Sequence, residues 1–225
     1  MPQLATIRFP DIRLPTRDAH KLRGYFGTLF REHSPLLHNH YADGTTRHRY
    51  PLVQYKVLAG VPTLVALDEG AELLNSLFLQ MKTLSIAHPA GEPQTYSINA
   101  KHISSQRVEI GYAEALHTYR FKTLWMGLNQ DNYRTYSQAD PAAQATLLNK
   151  IAVGNVLSFF KAMNVFLEPQ QRLMAKLDVL PKTTQFKNQR MLVFTGTLII
   201  NADLPDGIGL GKAVSRGFGT IVKTQ

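Results

Sequence analysis

Two histidines stand two positions apart in His38-Asn39-His40-Tyr41, with His48 and Tyr50 close by. Imidazole titrates near neutrality, so such a pair can supply a general base and a general acid together. Transesterification of RNA asks for that pairing. One group takes the proton of a 2′-hydroxyl as it attacks the adjacent phosphorus, and another protonates the departing 5′-oxygen. A Lys, Arg or Tyr that counters the phosphorane charge completes the set without a metal. The same His-x-His spacing can also hold a metal, because alternate residues of a strand face one way. The nearby acids are only Glu32 and Asp43 and no third ligand is evident, so neither a metal nor another cofactor is expected.

A second constellation lies late in the chain, where Gly207, Gly209, Gly211, Gly217 and Gly219 surround Lys212 and Arg216. Glycines let backbone N–H groups approach an anion closely, and the two cations add charge. A P-loop would need Gly and a hydroxyl where Asp206 and Ala213 stand, and a dinucleotide fingerprint would need a βαβ unit that does not follow. Arg216-Gly217-Phe218-Gly219 matches the first half of an RNA-recognition strand motif and then departs at Thr220 and Lys223. That leaves Phe218 as the ring able to stack on a base. The alternative is a glycine-rich crossover that packs on a sheet.

Arg47-His48-Arg49-Tyr50 runs into Leu52-Val53-Gln54-Tyr55-Lys56, interleaving basic and aromatic residues. Such a pattern suits phosphates and unstacked bases, and equally an amphipathic edge strand with its charges in solvent. Lys187 and Arg190 precede another apolar run and extend the basic track.

These residues need a scaffold, and periodicity supplies its order. Ala5–Leu14 reads as an edge strand broken by Pro10. Thr16 or Asp18 then caps a helix whose apolar face is Leu22, Tyr25, Phe26, Leu29 and Phe30. A polar, His-rich loop spans His33–Tyr50. Leu52–Leu58 and Val61–Leu67 form a hairpin across Ala59-Gly60. A second helix covers Ala71–Met81, a loop carries Pro89 and Pro93, and a strand is expected near Val108–Tyr112. Strand, helix, strand, strand, helix, strand is the ferredoxin-like order. The second half repeats it in degraded form: an extended Tyr119–Leu128, a helix begun by Asp140-Pro141 and continuing to Met163, strands at Leu173–Leu180 and Met191–Ile200, and a short strand within Gly217–Val222. A Gly-rich stretch replaces the last helix. The expectation is an α+β protein of two tandem ferredoxin-like (RRM-like) domains, 1–115 with the His-rich loop and 116–225 with the Gly-rich loop.

Composition agrees. The 225 residues are 44% hydrophobic and 18% charged, enough apolar material for a core and too little charge for global disorder. No apolar run reaches the roughly 18 residues that span a bilayer. Residues 1–15 lack the basic flank and apolar core of a signal peptide. Cys is absent, which excludes disulfides, thiolate zinc and a Cys nucleophile. A soluble, cytoplasmic protein without membrane partners is expected. Net charge is +9 with a pI near 9.8. Residues 1–60 hold 9 basic and 4 acidic side chains, residues 61–169 hold 8 and 9, and residues 170–225 hold 8 and 3, for balances of +5, −1 and +5. Two basic ends around a neutral middle suit a polyanion.

The runs His20–Tyr25, Ser34–His40, Tyr50–Lys56, Thr123–Met126 and Leu157–Lys161, with the terminal Gly-Leu-Gly-Lys and Ser-Arg-Gly-Phe-Gly, together resemble the Cas-six family, in its "b" branch. These are CRISPR-associated endoribonucleases that mature guide RNA. The resemblance covers nearly the whole chain and implies tandem ferredoxin-like domains. It implies CRISPR repeat RNA as partner and a metal-independent cut within each repeat, leaving a 2′,3′-cyclic phosphate. An effector complex that receives the product and a homodimer are further implied partners. On this resemblance His38 and His40 are the catalytic histidines, Tyr50 the accompanying tyrosine and Arg31 the basic residue late in the first helix. The RNA path would take in Arg47, Arg49, Lys56, Lys187, Arg190, Gly209, Gly211, Lys212, Arg216, Gly217, Phe218 and Gly219. Some relatives bind repeat RNA without cutting it, so a non-catalytic RNA carrier is the alternative.

Overall fold

The computed structural model describes residues 1–30, 50–88, 91–186 and 189–224. They form two compact units, Met1–Val108 with Ser215–Gly217, and Glu109–Val214 with Phe218–Gln225. The units part between Val108 and Glu109; the expected division at 115/116 would cut a continuous strand, Gly111–Phe121.

The first unit runs β1 (Gln3–Arg8), α1 (Ala19–Leu29), β2 (Val53–Leu58), β3 (Val61–Leu67), α2 (Glu69–Leu77), β4 (Thr83–His88), β5 (Gly91–Ser97) and β6 (His102–Arg107). Its antiparallel sheet has the order β2-β3-β1-β6, the ferredoxin-like arrangement with the first strand inside. So β1 is an interior strand and not the expected edge. Leu4, Ala5 and Ile7 are buried and the strand pairs on both sides. The β2–β3 hairpin turns at Ala59 and Gly60, whose φ values of 50° and 80° give the double left-handed turn that matches strand twist. Leu22, Phe26 and Phe30 put one stripe of α1 into the core, where Phe26 stacks on Phe9, Phe30 and Tyr55. Leu29, expected on that face, is 45% exposed. Asp18 is the N-cap residue of α1, yet its carboxylate pairs with Lys21 at 2.8 Å and caps no amide.

Two strand expectations are corrected. The fourth strand of the sheet is β6, His102–Arg107, ahead of the expected Val108–Tyr112. The expected loop with Pro89 and Pro93 contains instead the two-stranded β4–β5 sheet. Pro93 is tolerated because it falls where the register shifts, between the Ile86 and His88 pairs.

The second unit runs β7 (Gly111–Phe121), α3 (Gln130–Gln138), α4 (Pro141–Ala162), β8 (Ala175–Phe186), β9 (Gln189–Asp203) and β10 (Ile221–Lys223), with the sheet order β10-β7-β9-β8. The order repeats that of the first unit, but the third and fourth strands are joined by a Gly-rich segment whose only described helical turn is Val214–Arg216. The Asp140 carboxylate caps α4, accepting from the Ala142 and Ala143 amides at 2.9 Å each, with Pro141 opening the helix. Trp125 anchors the core: its backbone exchanges two hydrogen bonds with Phe194, and its indole N–H donates to Asn155 Oδ1 at 3.1 Å. Among the described residues no helix is long and apolar enough to cross a membrane.

Candidate nucleic-acid interface

In the first unit the backbone of Gly217 lies against α1 and β2. It holds φ +91°, and a Cβ there would sit 2.8 Å from the Ala19 methyl and 3.2 Å from the Tyr55 carbonyl oxygen, with Lys56 Cα at 3.7 Å. Only a glycine permits that approach without strain. The neighbouring Arg216 is thereby brought to Arg23, which stands one helical turn beyond Ala19 on the same face of α1. Burial holds the Arg23 guanidinium below its usual pKa, and the charge of Arg216 lowers it further. Burial also lowers that of Arg216. Lys56 is fully buried, and burial pulls its ammonium down to about 7. The buried Tyr55 phenol is pushed up by burial, while the Arg23 charge draws it the other way. Two cations, Arg23 and Arg216, therefore meet where α1, β2 and residues 215–217 come together.

Tyr50 lies just ahead of β2 and is half-buried. Gln54, fully buried, donates from Nε2 to the Tyr50 hydroxyl oxygen at 2.8 Å and to the Pro51 carbonyl at 3.2 Å.

Within the second unit the Gly-rich segment is paired with itself and its neighbours. The amides of Gly207, Leu210, Lys212 and Gly219 donate to the carbonyls of Ile221, Gly219, Met126 and Leu124 at 2.8–2.9 Å. A Cβ at Gly209 would lie 2.8 Å from the Phe218 carbonyl, and one at Gly211 would lie 2.8 Å from Trp125 Nε1. The expectation that these glycines open the backbone to an anion is corrected for the amides just named: the glycines serve close packing of chain on chain. Lys212 is exposed and Arg216 half-buried, so the charge of the segment is carried on side chains that reach its surface. Phe218 is half-buried and engages Phe186 edge-on at 5.3 Å. Arg190 is exposed in β9, paired in register with Gln185 of β8. Lys56 is enclosed, so it is not the surface contact expected of it.

Arg31, His38, His40, Arg47, Arg49 and Lys187 lie outside the described residues. Of the other expected residues, the first unit brings Tyr50, Lys56 and Arg216 to β2, and adds two that the sequence reading missed, Arg23 and Gln54. Gln54 carried a signal, a lone amide in an apolar run; Arg23 carried only its four-residue spacing from Ala19. Among the described residues no three His, Asp or Glu side chains gather as metal ligands.

A family model described as the Cas6b N-terminal domain matches residues 3–109, and one described as the Cas6b C-terminal domain matches residues 111–224. The chain is similar to a crystal structure of Cas6b, with 31% identity, 99% of both chains covered and a TM-score of 0.91. It is also similar to a crystal structure of the CRISPR RNA processing endoribonuclease Cas6b, with 28% identity, 100% of both chains covered and a TM-score of 0.77. An uncharacterized protein of Methanocaldococcus jannaschii is 32% identical over 117 residues, 52% of this chain and 79% of that protein.

Proposed function

The chain belongs to the Cas6b family, and from that membership we propose that it is a metal-independent endoribonuclease that cuts CRISPR repeat RNA to mature guide RNA. The observation that carries this reading is the junction of α1, β2 and residues 215–217, where the Gly217 backbone packed on Ala19 and Tyr55 brings Arg216 to Arg23. Converging cations on a scaffold whose basic residues lie towards its two sequence ends suit a phosphodiester more than a neutral ligand.

The reaction we assign is attack of the 2′-oxygen on the adjacent phosphorus. The P–O5′ bond breaks, giving a 2′,3′-cyclic phosphate and a 5′-hydroxyl. One of His38 and His40 removes the 2′-hydroxyl proton and the other protonates the 5′-oxygen. Arg23 and Arg216 counter the charge that builds on the phosphorane, and Tyr50 contacts the reacting group. Lys212 and Arg190 hold the RNA through its backbone.

Cleavage of repeat RNA in EDTA tests this, run beside a copy with one 2′-deoxy nucleotide at the cut site. The intact RNA should be cut and the deoxy copy should not. His38→Ala and His40→Ala should each slow cleavage roughly 10²–10⁴-fold with binding little changed. Binding without cleavage would replace the reading by a non-catalytic RNA carrier. Activity that returns only with added metal would move the chemistry to a metal held at His38 and His40.

A further inference from the structure

We infer that His20 accepts a hydrogen bond from a ribose 2′-hydroxyl of bound RNA, beside the phosphate held by Arg23 and Arg216. The ring thereby selects RNA over DNA; this rests on the reading that repeat RNA is bound at the junction of α1, β2 and residues 215–217.

The polarity of the ring follows from its partner. His20 Nδ1 lies 2.8 Å from the Arg17 carbonyl oxygen. A carbonyl can only accept, so Nδ1 carries the hydrogen and donates it. In the neutral imidazole Nε2 is then a bare acceptor. That nitrogen makes no hydrogen bond or ion pair among the described residues, and His20 is exposed. The nearest acid along the chain, Asp18, is committed to Lys21 at 2.8 Å. An ionised phosphodiester has only acceptors and offers nothing to a bare nitrogen. A 2′-hydroxyl offers a donor, and DNA lacks it.

Position selects which hydroxyl. His20 stands in the first turn of α1, three residues before Arg23. That spacing makes neighbours on a helix surface, with Cβ atoms roughly 5–6 Å apart. The Gly217 backbone packs on Ala19 in the same turn, and the Arg216 charge acts on Arg23. Each ribose 2′-hydroxyl neighbours its own 3′-phosphate, so a phosphate held by the arginines brings one such hydroxyl within a helical turn of the imidazole. Gly24 follows His20 by four residues, and a Cβ there would meet nothing within 4 Å. Packing does not ask for a glycine at that place, and glycine inside a helix costs stability relative to alanine. What it leaves is a bare helix surface beyond the ring, with room for a sugar.

Binding of an uncleavable repeat RNA decides it. The 2′-hydroxyl at the cut site is removed from every substrate, so that affinity is read apart from chemistry. A second 2′-deoxy substitution is then walked through the nucleotides on either side. At about pH 8, where an ordinary imidazole is neutral, one position should cost the wild type roughly three- to tenfold in Kd, as one neutral hydrogen bond does. His20→Phe should lose the same factor on the parent RNA, and that deoxy position should then cost it less than twofold more. His20→Ala should repeat both results and serves should His20→Phe disturb the helix, with thermal melting of each as the check. Equal cost of every deoxy position in the wild type and the variants would overturn the inference, and would reduce His20 to a brace for the first turn of α1. A fall of about 0.7 in the slope of log K against log salt for His20→Phe would overturn it too, since the ring would then be a cation on a phosphate. A wild-type chain that neither binds nor cuts the all-ribose repeat RNA would instead defeat the reading beneath it, and the inference with it.

Discussion

A lysine without access to water is the most informative single side chain in the first unit. Lys56 is 0% exposed, and burial pulls its pKa from the usual value of 10.5 to about 7. The native state therefore binds its proton more weakly than the unfolded chain does. Between about pH 7 and 10.5 the unfolded chain carries a proton that the native chain lacks, so stability rises with pH across that window. Below pH 7 both states are protonated and the full cost of the buried charge is felt. Chemical denaturation from pH 7 to 10 should show the wild type gaining up to about 1.4 kcal/mol per pH unit relative to Lys56→Met. Parallel curves for the two proteins would mean that Lys56 keeps its charge when folded. The sequence concealed this residue's state. A lysine in a strand beside Tyr55 and Val57 reads as the solvent side of an alternating pattern, yet Val53 to Val57 are all buried. No local pattern announces that residues 215–217, from the far end of the chain, lie against Tyr55 and Lys56.

Elements were legible where the backbone itself leaves a mark. Asp140-Pro141 marked the start of α4, and Ala59-Gly60 marked the β2–β3 turn, because caps and left-handed turns restrict residue type. α3 escaped because none of Gln130–Gln138 is buried and no apolar stripe reveals its period. The Gly-rich segment was legible as an element but not as a mechanism: its glycines serve close packing, and its cations supply the charge. Gly217 ties the two together. Alanine there must hold φ near +91°, at a cost of roughly 1–2 kcal/mol, and its methyl would meet that of Ala19 at 2.8 Å. Gly217→Ala should therefore displace Arg216 and reproduce the Arg216→Gln phenotype. RNA affinity should fall, and the slope of log K against log salt should lose about 0.7, the contribution of one phosphate contact on a single strand. Ala19→Gly in the same chain removes the opposing methyl and should recover part of the affinity. A wild-type slope in Gly217→Ala would detach Arg216 from the RNA.

Over the whole molecule, one strand order is used twice, β2-β3-β1-β6 and β8-β9-β7-β10, with a helix closing the first copy and a glycine-rich segment the second. Element order carried that repeat into the sequence reading; the interior place of β1 did not follow, since pairing partners are not local properties. Charge is the other whole-chain property. Residues 170–225 carry 8 basic and 3 acidic side chains against 8 and 9 in residues 61–169. If RNA responds to net charge alone, equal neutralisations anywhere should weaken binding equally; if it follows a local track, position should decide. Lys176, Lys182 and Arg190 are exposed along β8 and at the start of β9, and Lys122, Lys150 and Lys161 are exposed in the neutral middle. Converting either trio to Gln lowers the charge by three. The β8–β9 trio should reduce the salt slope by about 2 and affinity several-fold to a hundredfold at moderate salt, while the middle trio should leave the slope within about 0.5 of wild type. Matching losses from both trios would reduce the basic ends to a general field around the molecule, with Arg23 and Arg216 left as the local determinants of where the phosphate sits.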